Sequence, residues 1–153
     1  MKIAINLLLL LTFSISCKSV NLNKNTTDSV IFTFRKTMCR GKCPVYYMEI
    51  FKSGKVIYEG TKNVEKTGNF TKTIDVKTID SLINEFENAA FCNFENEYTS
   101  RKRDLPTTYV GYRCNDSIKT VRDYDLAPKE LKVLEKLLEN IAKSNDYSNI
   151  SNE

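Results

Sequence analysis

The sequence predicts an α+β domain: a mainly antiparallel sheet in the order ββββαββα, with two helices packed on one face. Three observations carry this reading. Apolar residues recur with period two over residues 30–76, the spacing turns helical at two places, and the strand-like runs are joined by short turns that suit hairpins.

Taken in order, Val30, Phe32 and Phe34 alternate with Ile31, Thr33 and Arg35, which predicts a first strand. Residues 45–51 are rich in aromatic and β-branched side chains and form a second. Ser53-Gly54 then turns the chain into a third strand at 55–61, making a hairpin. A fourth strand runs over 70–76, with Phe70, Ile74 and Val76 sharing a face. At Thr78 the period changes: Thr78 suits an N-cap, Asp80 the first turn, and Ile79, Leu82, Ile83, Phe86, Ala89 and Ala90 fall on one helical face. Residues 91–106 read as irregular and charged. Two strands, 107–114 and 117–123, flank the turn Asn115-Asp116. The last helix starts near Pro128, which suits a first-turn position, and buries Leu131, Leu134, Leu138 and Ile141 while offering Lys132, Glu135, Lys136 and Glu139 to water. Residues 144–153 read as a disordered polar tail.

The N-terminus has its own logic. Lys2 supplies a short positive region, an apolar run follows over 3–15, and Ser14-Ile15-Ser16 precede Cys17. The run is too short to span a bilayer and matches a secretory signal, and its end resembles a bacterial lipobox in which Cys17 is acylated. Ser14 stands where Leu is usual. The expected organisation is a lipoprotein signal peptide at 1–16, lipidated Cys17 with a flexible tether to residue 28, one domain over 29–143, and the tail.

Composition narrows the chemistry. The chain carries 23 Lys+Arg against 19 Asp+Glu, a net charge of +4. That mild excess does not point to nucleic acid, which needs a clustered basic face. There is no His and no Trp, so His-based triads, Cys-His catalysis and His-ligated zinc or haem are excluded within one subunit. The five glycines stand singly, without a phosphate-cradling loop. No cofactor and no metal are expected.

Export would place Cys39, Cys43, Cys92 and Cys114 in an oxidising compartment, where an even set pairs. The hairpin brings Cys39 and Cys43 together, and a bridge there would fix the shape of Arg40-Gly41-Lys42. A redox pair or metal ligation are the other readings, although a redox pair normally uses C-x-x-C beside a helix. Cys92 and Cys114 can pair or serve as small buried apolar residues.

The segment Cys39-Arg40-Gly41-Lys42-Cys43-Pro44-Val45-Tyr46 resembles the C-x-G-x-C-P-x-Y motif of an uncharacterised bacterial family, a domain of unknown function found behind lipoprotein signals. The resemblance continues through Ser53-Gly54-Lys55-Val56, Tyr58-Glu59-Gly60, residues 86–91, Asp104-Leu105-Pro106-Thr107 and Val121-Arg122-Asp123-Tyr124. Cys92 and Cys114 lie outside it. It implies a fold and an envelope location but no reaction.

If Asn115-Asp116 is a two-residue turn, Thr108 lies near Asp123. Arg103, Asp104, Thr107, Arg122, Asp123 and Tyr124 then gather at the open end of the second hairpin. The plain role of such a cluster is to dock the loop before the last helix through ion pairs and caps. The function expected is a lipid-anchored, non-catalytic binding or accessory module of the cell envelope, at the outer membrane facing the periplasm. Its partners would be the membrane, through the lipid, and an envelope protein or glycan. Tyr46, Tyr47, Tyr58, Tyr109, Tyr112 and Tyr124 can supply its contact surface. The alternatives are an envelope-polymer hydrolase using Asp104 and Asp123, and a thiol-disulfide protein using Cys39 and Cys43.

Overall fold

A computed structural model describes residues 28–150. The expected signal peptide at 1–16, the expected lipidation site Cys17 with its tether up to residue 27, and residues 151–153 lie outside the described residues. The elements are β1 (Val30–Lys36), β2 (Val45–Phe51), β3 (Lys55–Lys62), β4 (Gly68–Thr73), α1 (Val76–Asn88), a 3-10 turn at Phe91–Asn93, β5 (Glu97–Tyr98), β6 (Thr108–Cys114), β7 (Ser117–Asp123), α2 (Lys129–Lys143) and β8 (Ser148–Asn149). They form one sheet in the order β5-β7-β6-β1-β2-β3-β4-β8. Neighbouring strands are antiparallel except β5, which runs parallel to β7. The α+β architecture and the order ββββαββα therefore hold, with β5 and β8 added as short edge strands.

Both hairpins form where the turn residues predict them, with Ile50 opposite Val56 and Cys114 opposite Ser117. Gly54 has φ +88°, and a Cβ there would collide with the Ile74 carbonyl, so the first turn admits only glycine without rearrangement. One irregularity departs from strict alternation: a bulge between Val30 and Phe32 lets Ile31 as well as Phe32 and Phe34 be buried.

One sheet face carries the core. Phe32, Phe34, Met48, Ile50, Val56, Val110 and Val121 pack with Ile79, Leu82 and Phe86 of α1 and Leu131, Leu134 and Leu138 of α2 in one cluster. Each of the fully buried members contributes roughly 1.5–3 kcal/mol of transfer free energy. Phe86 sits in an aromatic nest, its ring 4.8 Å from Phe32 and 5.1 Å from Tyr112. Among the described residues, no helix lies over the opposite face, as antiparallel sheets allow.

Four local expectations are corrected. Helix α1 begins at Val76, and Asp75 rather than Thr78 is its N-cap: the Asp75 carboxylate accepts from the Thr78 N–H at 2.9 Å and from the Thr78 hydroxyl at 2.8 Å. Asp prevails because its two oxygens take both donors at once. Val76 therefore leaves the strand face, opens the helix and is exposed. In α2, Glu135 is buried, within the apolar stripe rather than on the wet face. Finally, residues 144–150 of the expected tail are folded: Phe70 pairs with Asn149, Lys72 bonds Asp146 at 3.0 Å, and the Tyr147 ring lies 5.5 Å from Tyr58. Its polar composition conceals one aromatic anchor, Tyr147, which together with the Lys72–Asp146 pair and the β4–β8 pairing holds the segment on the sheet edge.

Candidate functional site

Three of the segments singled out by motif, residues 39–46, 104–107 and 121–124, meet at one end of the sheet. There β1 ends, β2 starts, β6 starts and β7 ends, so Tyr46, Lys36, Thr108 and Asp123 stand in one row across four strands. Cys39 and Cys43 pair as a disulfide with Cα atoms 5.7 Å apart, and the Gly41 N–H bonds the Cys39 sulfur at 3.3 Å. The loop is held to its neighbour reciprocally: the Thr37 N–H donates to the Thr107 carbonyl at 3.0 Å, and the Thr107 N–H donates to the Thr37 hydroxyl at 3.0 Å. The Tyr124 hydroxyl donates to the Lys102 carbonyl at 2.9 Å and accepts from the Leu105 N–H at 3.4 Å. At the other end of β6, Cys92 and Cys114 pair, with Cα atoms 5.9 Å apart, and tie the 3-10 turn to the sheet.

The predicted polar cluster divides in two. Thr108 does face Asp123, but strand alternation sends Arg122 and Asp123 to opposite faces. Arg122 pairs with Glu97 and lies 5.4 Å from the centre of the Tyr124 ring on the helix-free side. Asp123 is 2 % exposed beneath α2. Asp104 is exposed, with φ +64°, and pairs with Arg40 at 3.4 Å. Arg103 is exposed beside it, and Thr107 is buried. The two carboxylates proposed as an acid/base pair thus have separate partners on separate surfaces.

What the row does assemble is a buried polar seam under α2. Lys132 donates to Asp123 Oδ2, and to Glu135 Oε2 at 3.3 Å. The second oxygen of each carboxyl, Asp123 Oδ1 and Glu135 Oε1, is buried without a donor, as is the Tyr46 hydroxyl. Burial, then a hydrogen bond with Asp123, pushes the Glu135 carboxyl up to about 7 against the pull of Lys132. Protonation of Glu135 gives that carboxyl a donor and removes one of two like charges from the interior. One turn further, Glu139 pairs with Lys36 at 3.2 Å and Lys143 at 2.7 Å; these cations outweigh its burial and hold it below the usual glutamate range. Burial and Glu139 push the Tyr46 phenol well above its ordinary value. Glu135 is absent from the candidates the sequence offers because its residue type places it on the wet face of the helix. Its position, four after Leu131 and next to Leu134 with Leu138 following, was the legible signal.

The helix-free face is the second feature. It holds an open cleft of about 730 Å³ lined by Thr33, Arg35, Tyr47, Glu49, Tyr109 and Thr120 among others. The Arg35 guanidinium lies 4.1 Å from the centre of the Tyr109 ring. The Tyr47 hydroxyl donates to Glu49 at 2.7 Å, and burial together with that carboxylate pushes the phenol up to about 12. Of the six tyrosines expected to supply contacts, Tyr47, Tyr109 and Tyr124 are half-buried on this side, whereas Tyr46, Tyr58 and Tyr112 are spent in the core.

Among the described residues, no group of three or more His, Cys, Asp or Glu is placed to hold a metal ion. Among the same residues, no helix is long and apolar enough to cross a membrane. A family model described as a domain of unknown function (DUF6438) matches residues 30–142, from the first residue of β1 into the last turn of α2. No curated protein matches the chain.

Proposed function

The chain belongs to the DUF6438 family, whose function is unknown, and we propose that it is a lipid-anchored, non-catalytic binding module of the bacterial cell envelope. In this reading Cys17 carries the lipid, the protein faces the periplasm from the outer membrane, and the helix-free sheet face receives an envelope partner. The observation that carries it is the cleft on that face, where Tyr109 under Arg35 and Tyr47 on Glu49 are already ordered. Aromatic and charged groups fixed before binding lose little side-chain freedom on contact, which favours recognition. The separate engagement of Asp104 by Arg40 and of Asp123 by Lys132 favours a structural role for both over acid/base work.

Crosslinking in intact envelopes tests the face. Arg35→Thr with Tyr47→Thr keeps strand-forming residues and should abolish the crosslinked product while the melting temperature stays close to that of the parent. A partner captured equally by both proteins overturns the assignment. Fractionation tests the anchor: Cys17→Ala should yield soluble or unprocessed protein, and processed Cys17→Ala protein that stays with membranes overturns lipidation.

A further inference from the structure

The tip formed by the disulfide loop and the loops beside it carries most of the chain's excess positive charge. Arg40, Lys42, Arg101, Lys102 and Arg103 are all exposed there. Hydrogen bonds and ion pairs join their segments: Arg40 to Asp104, Lys102 to Asp125 at 2.9 Å, and the Tyr124 hydroxyl to the Lys102 carbonyl. Asp104 and Asp125 are the only carboxylates paired with these five cations among the described residues, and Lys42, Arg101 and Arg103 have no acidic partner there. Two large apolar side chains stand in water at the same end, Met38 at 63 % exposure and Leu126 at 69 %. Leu126 is also held at φ +68°, a conformation a leucine adopts only against a steric penalty.

We infer that this tip is a docking surface for the anionic phospholipid headgroups of the membrane to which Cys17 anchors the chain. The proposal rests on the lipid-anchored reading above. Charge complementarity selects a phosphate-bearing surface, since polybasic segments bind anionic leaflets and a polybasic patch is a common second signal beside an acyl anchor. The exposed Met38 and Leu126 favour a lipid interface over a hydrophilic polyanion, because only the interface takes up apolar side chains among cations.

Chain length permits the arrangement. The described chain begins at Asp28, whose carboxylate bonds Ser53 at the β2–β3 turn, at the opposite end of the sheet from the tip. The eleven residues from Cys17 to Asp28 reach at most about 36–40 Å, whereas the seven residues of β1 extend about 23 Å. The tip can therefore touch the membrane that holds the anchor. Docking by the tip also leaves the helix-free sheet face open to its partner.

The test uses the full lipidated protein reconstituted in vesicles of phosphatidylcholine alone, or mixed with phosphatidylglycerol. Flotation reports the anchor, and amide hydrogen exchange reports the tip. We expect flotation with both lipids, with slowed exchange at residues 37–43 and 124–127 only where phosphatidylglycerol is present. Raised salt should reverse the slowing, and the turn at 52–55 should not respond. Lys42→Ser with Arg103→Ser removes two unpaired cations and should weaken tip engagement about 30-fold, at roughly fivefold per charge. Leu126→Asn relieves the backbone penalty, so it should fold at least as well as the parent and still lose protection. Equal exchange with the two lipids overturns the proposal even if the protein floats. Loss of flotation with neutral vesicles overturns the anchor reading alone, and the contrast between lipids then still decides the tip. Protection by an added anionic polysaccharide, with none from phosphatidylglycerol, would reassign the surface to a glycan and overturn the lipid assignment.

Discussion

Glu135→Gln should change how stability depends on pH more than it changes stability itself. In the native protein the Glu135 carboxyl is raised from 4.5 to about 7 by burial and by its hydrogen bond with Asp123. The unfolded chain loses that proton near the ordinary glutamate value, whereas the folded chain keeps it. The group's stabilisation is thus fully present below about 4.5 and is lost as pH rises through about 7. A shift from 4.5 to about 7 is worth at most about 3 kcal/mol, or a melting shift of about 10 °C in a domain this size. The glutamine amide cannot ionise, and it can donate to the Asp123 oxygen that has no other donor. Melts of both proteins between about pH 5 and pH 8 should find them similar in acid, with the variant gaining as the parent falls. Asp75, Asp125, Glu139 and Asp146 are all held below their ordinary values, so their contributions change on the acid side of this window. Parallel profiles for parent and variant would refute a raised Glu135 carboxyl.

Three further outcomes are expected. Asp123→Asn should cost about 1–3 kcal/mol in thermal melts because its buried charge partners Lys132, whereas Asp104→Asn, at an exposed pair, should change stability by less than about 0.5 kcal/mol. Replacing Cys92 and Cys114 with Ser should lower stability by about 3.4 kcal/mol on loop-closure entropy, against about 2 kcal/mol for Cys39 and Cys43, which denaturant titration of the two variants would rank. Tyr147→Ala should cost about 2 kcal/mol and release β8, read as faster amide exchange at Asn149 and Phe70.

Periodicity made the sheet and both helices legible because most of their core residues repeat at the strand or helix spacing. Phe32, Phe34, Met48, Ile50, Leu131, Leu134 and Leu138 are each apolar and each buried. Turn chemistry located both hairpins for the same reason, since Ser53-Gly54 and Asn115-Asp116 have few other conformations to adopt. Elements held by one or two long-range contacts left little local trace. β8 depends on Tyr147 meeting Tyr58 across the fold, and β5 is two residues placed by pairing with Arg122 and Asp123. The site was legible as a location and not as a set of partners. The register that brought Thr108 to Asp123 followed from the turn, but Asp104 turned outward to Arg40, and Asp123 met Glu135 on the buried face of the helix that follows it.

The distribution of constraint at the motif end points to presentation of a surface. A disulfide closing so small a loop adds less to global stability than the longer Cys92–Cys114 bridge, and the Arg40–Asp104 pair is too exposed to add much. Yet the disulfide loop is also clamped reciprocally through Thr37 and Thr107, and the loop next to it is held by the Tyr124 hydroxyl. These bonds fix the backbone that carries Met38, Arg40, Lys42 and Lys102, and they leave those side chains exposed. The core, by contrast, is secured elsewhere by the aromatic nest around Phe86 and by the leucines of α2. A fold that needed the loop only as a connection between β1 and β2 would gain nothing from ordering it so tightly, whereas a contact surface gains affinity from every side chain fixed in advance.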